Sequence, residues 1–157
     1  MLFSKLDKIV TPRLNELFKE LGFKYDKKGV GQKWLKPYSE DIDFVIGINT
    51  AGCGCHFFAV APTIDVYKYE YSKIFHEITG VPIEKSPIPF LLRPLGYIMP
   101  DPTFRTWRFM EDNIEEMLRQ LRHDLVSYEL PDMNEMLDPK KYVEEAGTYC
   151  QNHILAQ

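Results

Sequence analysis

Residues 44–61 read FVIGINTAGCGCHFFAVA. Two apolar runs, Phe44-Val-Ile-Gly-Ile48 and Phe57-Phe-Ala-Val-Ala61, are separated by a turn at Asn49-Thr-Ala-Gly52 and a glycine- and cysteine-rich entry into the second run. A strand that faces water on one side alternates apolar with polar residues. Neither run does, so both read as central strands covered on both faces. Helices, or a helix and a long loop, must supply those covers, and this requirement decides the fold class.

Upstream, Phe23-Lys-Tyr-Asp-Lys-Lys28, a turn at Gly29-Val-Gly31 and Gln32-Lys-Trp-Leu-Lys36 read as a β-hairpin, with residues 37–43 as a polar connection. Before it, Leu2, Leu6, Ile9 and Val10 keep helical spacing. Thr11-Pro12 then looks like a cap followed by proline at the first helical position, and Leu14, Leu17, Phe18 and Leu21 continue the stripe to Gly22. One kinked helix or two abutting helices are expected.

Downstream, Tyr67, Tyr69 and Tyr71 alternate like a strand, whereas Tyr67, Tyr71, Ile74, Phe75 and Ile78 follow a helical stripe. The longer pattern favours a helix over residues 66–79, ended by Gly80. Six of the 11 prolines fall between Pro82 and Pro102, which predicts extended chain with one short strand over residues 95–99. Residues 103–109 alternate as a further strand. Asp112, with Glu115 three positions on, heads a helix carrying Ile114, Met117, Leu118, Leu121 and Leu125, with Pro131 as its stop. Asp138-Pro139 opens a last helix with Tyr142, Val143, Ala146, Tyr149, Cys150, His153 and Ile154 on one face. The expectation is a single α+β domain over residues 1–157. Its twisted, largely antiparallel sheet of about five or six strands is flanked by an N-terminal helix, a middle helix and two C-terminal helices.

Composition agrees with a folded domain: 45% of the 157 residues are hydrophobic, 27% charged and 13% aromatic. No stretch approaches the roughly 18 apolar residues of a membrane-spanning helix, and the opening residues lack a signal-peptide pattern. Three cysteines suit a reducing compartment better than a disulfide framework, so a cytoplasmic protein is expected. A net charge of −4 gives no global footprint for nucleic acid.

The helix end Leu21-Gly22-Phe23-Lys24, the Lys33-Trp34 strand and the run Phe44-Val-Ile-Gly-Ile48 resemble a family of small, mostly bacterial proteins catalogued as a domain of unknown function (4304-type). Leu92-Arg93-Pro94-Leu95-Gly96-Tyr97-Ile98, Asp101, Trp107 and a helix ending at Leu130-Pro131 resemble its later half. Pro94 interrupts that family's arginine-leucine-glycine run, and one tryptophan stands where two are expected. The resemblance implies no activity.

Four residues suggest metal: Cys53, Cys55, Cys150 and His153 form a three-cysteine, one-histidine set suited to structural zinc. Strand alternation puts His56 on the face opposite Cys53 and Cys55, while Cys150 and His153 share a helix face. The competing expectation is a metal-free core in which the cysteines are small apolar residues and no cofactor binds. Lys24, Tyr25, Lys27, Lys28, Lys33, Trp34, Lys36 and Tyr38 interleave cations and aromatics as a single-strand nucleic-acid surface does, but also as a lysine-protected edge hairpin does. Glu40, Asp41 and Asp43 blunt the positive field, and nucleic acid is not the expected partner. No glycine-rich phosphate loop or serine elbow is present, and His123-Asp124 reads as a solvated or capping pair. Aromatic and arginine residues remain, with Trp34, Tyr97, Arg105, Trp107 and Arg108 as the candidate binding surface. The resulting expectation is a non-enzymatic protein-binding role, of the immunity kind that covers a basic toxin. A zinc-stabilised module and an enzyme with an unrecognised site are the alternatives.

Overall fold

The structure, a computed structural model, describes residues 2–27, 32–51, 57–80, 92–138 and 140. Along them the chain forms α1 (Leu2–Glu20), β1 (Lys24–Tyr25), β2 (Gln32–Ser39), β3 (Ile42–Ala51), β4 (Phe58–Lys68) and α2 (Tyr69–Thr79). There follow β5 (Arg93–Pro94), a 3-10 turn (Leu95–Tyr97), β6 (Trp107–Phe109), α3 (Ile114–Asp124), a π turn (Leu125–Glu129) and α4 (Leu130–Glu135). The fold is α+β, with an open antiparallel sheet in the order β1-β2-β3-β4. Both β5 and β6 pair with β4 along its other edge.

The two apolar runs are indeed the central strands, and they are longer than the runs themselves. Asn49, Thr50 and Ala51 stay in β3 because they pair with Ala61, Val60 and Ala59. At the other end Val66 and Tyr67 pair with Phe44 and Asp43, so β4 extends through Lys68 and the helix expected from residue 66 starts at Tyr69. Pro62 has no N–H to donate, and it sits where β4 lacks a partner on one edge: β6 ends opposite Val60 and β5 begins opposite Thr63. α2 ends at Gly80 (φ +72°), as the sequence predicts.

One sheet face is apolar. Trp34, Ile46 and Ile64 lie side by side across three strands, flanked by Phe44, Val66, Ile48, Phe58 and Val60, all buried. α1 covers this face with Leu6, Val10, Leu14, Leu17 and Phe18, and α3 with Leu118 and Leu121. The ion pairs Lys5–Glu111, Arg13–Glu115 and Arg122–Glu20 ascend together along both segments, so α1 and α3 run in the same direction.

Three expectations fail locally. Of the alternatives at Pro12 the single helix holds, and the cap and restart expected at Thr11-Pro12 fail: α1 is continuous through Pro12, which faces solvent beside the exposed Lys8. The bond that proline removes there is one water can replace. Thr11 caps nothing, and its hydroxyl donates back one turn to Asp7 Oδ1 at 2.7 Å. The strand expected over residues 95–99 is a 3-10 turn, preceded by the two strand residues of β5. A Cβ at Gly96 would lie 2.3 Å from the Thr103 carbonyl oxygen, so glycine lets the turn abut the chain ahead of β6. Pro131 does not stop the C-terminal helix, because Leu125–Glu129 widen into a π turn in which the Leu130 N–H bonds to the carbonyl five residues back. Widening the ladder just before Pro131 moves carbonyl oxygens away from its ring.

Candidate functional site

Trp107 and Asp124 form the floor of the site. Trp107, 4% exposed, is held in β6 opposite Val60, and its indole N–H donates to Asp124 Oδ2 at 3.0 Å. Asp124, the last residue of α3, is 5% exposed. Asn113 fixes the intervening turn: its Oδ1 accepts from the Met110 N–H and its Nδ2 donates to the Arg108 carbonyl. The expected cap, Asp112, lies just outside α3, and the residue in the cap position, Asn113, ties the turn to β6 without capping the helix.

Above this floor Arg105, Thr106, Arg108, Met117 and Gln120 complete a cavity of about 280 Å³. That is just under the roughly 300–1,000 Å³ of small-molecule sites and suits a single inserted side chain. The Arg108 guanidinium lies over the Phe57 ring at 5.1 Å, and Arg105 donates to the Asp101 carbonyl at 3.2 Å. Both arginines keep most of their donors for a ligand. The Gly96 contact brings the 3-10 turn against residues 103–105, and there Tyr97 is 50% exposed and Phe104 60% exposed.

No family model matches this chain, nor does any curated protein or solved structure. Function is therefore read from residues alone.

Of the five residues expected to form a binding surface, Arg105, Trp107 and Arg108 share one cavity and Tyr97 lies on the adjoining turn. Trp34 is a correction. It is 1% exposed, packs its ring 4.6 Å from Phe18 and donates its indole N–H to Asn15 Oδ1 at 2.9 Å, so it anchors α1 to the sheet. Cys53, Cys55, Cys150 and His153 lie outside the described residues. Among the described residues no group of three or more His, Cys, Asp or Glu is placed to hold a metal, and no helix is long and apolar enough to cross a membrane.

The burial of Asp124 was missed in the sequence, where His123-Asp124 reads as a solvated or capping pair. The available signal was the position of Asp124 three after Leu121 and one before Leu125, inside the apolar stripe. The polar face of the sheet was missed as well. Thr63-Ile-Asp-Val-Tyr67 alternates, so Thr63, Asp65 and Tyr67 share the face opposite the apolar one, and all three are buried. There Lys33 Nζ meets the Tyr67 hydroxyl at 2.9 Å, and the Tyr69 hydroxyl donates to Asp43 Oδ2 at 2.6 Å. Burial, then the bond to Asp43, pushes the Tyr69 phenol well above its ordinary pKa, so it stays a donor.

Proposed function

We propose that this protein is a non-enzymatic binding protein that docks a protein partner on the edge formed by Arg105, Trp107 and Arg108. The observation that carries the reading is the juxtaposition of two arginines and a cavity sized for one side chain with the exposed rings of Tyr97 and Phe104. Arginine and aromatic side chains around a small pocket are the composition of interaction hot spots. Each guanidinium favours carboxylates on the partner, with planar two-point contacts that lysine cannot make. The site thus selects an acidic patch, although the net charge of −4 by itself suggests a basic partner. An immunity-like role remains compatible with this site when the covered protein presents an acidic surface. The 4304-type resemblance adds no activity to this reading.

The test is a pull-down from the host with the wild-type protein and the double variant Arg105→Glu/Arg108→Glu, read at low and high salt. The reading expects a stoichiometric protein bound by the wild type, weakened by salt and lost with the double variant. Equal recovery of the same proteins by both would sink it. Circular dichroism of the double variant checks that its fold is kept.

A further inference from the structure

Glu129 closes the π turn that begins directly after Asp124. It is 0% exposed, and among the described residues neither carboxyl oxygen has a hydrogen-bond partner. Buried polar groups are almost always paired, and an unpaired carboxylate costs far more than the neutral acid. Burial, and after it the charge of Asp132, pushes the Glu129 pKa well above the usual carboxylate range.

The charged groups around it come from α4, β5 and α3. Asp132 lies one turn on, in α4, and pairs with Arg93 of β5 at 2.7 Å. Asp124 ends α3, and the 3-10 turn that packs against the π turn supplies Leu95, Gly96 and Tyr97, the last its only titratable side chain. The backbone is weak at the same place. Its ladder is already widened to bonds five residues apart, and Pro131 offers no N–H to restore the regular spacing.

We propose that Glu129 is a proton-gated latch on the candidate site. As the neutral acid it lets the π turn stay packed under the 3-10 turn. On losing its proton it must reach water, which unpacks residues 125–130 and releases Asp124 from the Trp107 indole. Opening is coupled to one proton, so below its midpoint the open population rises by up to about tenfold per pH unit. Its consequence for partner binding rests on the reading given above; the opening does not.

The protein has two tryptophans, so its two indole N–H resonances are assigned with the single variant Trp107→Phe. Both are followed by NMR in the full chain from about pH 5 to about pH 9.5, a window above the ordinary carboxylate range. In the wild type the Trp107 signal is expected to titrate with a single midpoint while that of Trp34 holds still. In Glu129→Gln and in Glu129→Leu it is expected to stay flat. A Trp107 signal that is flat in the wild type, or one that titrates equally in both variants, overturns the latch. The Arg105→Glu/Arg108→Glu pull-down fails or succeeds independently of this titration, which keeps the two readings separable.

Discussion

Glu129 also sets the pH dependence of stability. Its folded pKa is raised above the ordinary value of 4.5. Below that value both folded and unfolded chains hold the proton, and the group leaves stability unchanged. As pH rises the unfolded chain releases its proton first, so stability falls until the folded pKa is passed. Glu129→Gln should therefore match the wild type near pH 4.5 and exceed it progressively above, as read from urea midpoints at two pH values. At Asp124 the carboxylate serves the Trp107 N–H, so Asp124→Ala should cost about 1–3 kcal/mol while Asp124→Asn, which keeps an acceptor, should cost less. Single residues are where the sequence was hardest to read. Composition marked Trp34 and Trp107 as equal anchors, yet Asn15 draws one into the core and Asp124 draws the other to the floor of a cavity. Only the three-dimensional partner of each indole separates them.

At the scale of elements, patterns of period and punctuation carried well where they were long. The strands around Phe44 and Phe58, the α1 stripe and the Gly80 terminus were all visible, because burial on a repeating face leaves a repeating sequence. Proline misled twice, at Pro12 and at Pro131, since its effect depends on where the lost bond points and how the ladder widens. Pro12→Ala restores a helical N–H without disturbing a buried contact, and thermal unfolding should show a gain of roughly 1–3 kcal/mol. Gly96→Ala should act in the opposite sense. Its Cβ would meet the Thr103 oxygen at 2.3 Å and the Arg105 nitrogen at 2.9 Å, both backbone atoms with little room to give. A loss of about 2–4 kcal/mol is expected by chemical denaturation, with the Arg105 side of the cavity displaced.

At the scale of the molecule, the α+β class followed from one inference: doubly buried strands need covers. The partner residues of that cover lie far apart in sequence, which is why the cavity between β6 and α3 left no contiguous motif. α1 is joined to the chain ahead of α3 and to α3 itself by pairs separated by 106, 102 and 102 positions. Raising salt should weaken these exposed pairs only slightly, with little change in the thermal midpoint, because the buried stripe beneath them carries the contact. Their spacing matters instead for the order in which the protein can be made. At a synthesis rate of roughly 5–20 residues per second, the first helix leaves the ribosome about 5–20 s before the residues that shelter it. During that interval Leu6, Val10, Leu14 and Phe18 have hairpin strands to lean on but no parallel neighbour. Nascent chains should thus require a chaperone, or aggregate, until residue 122 has emerged, and the final docking of the first helix should be the slow step of refolding.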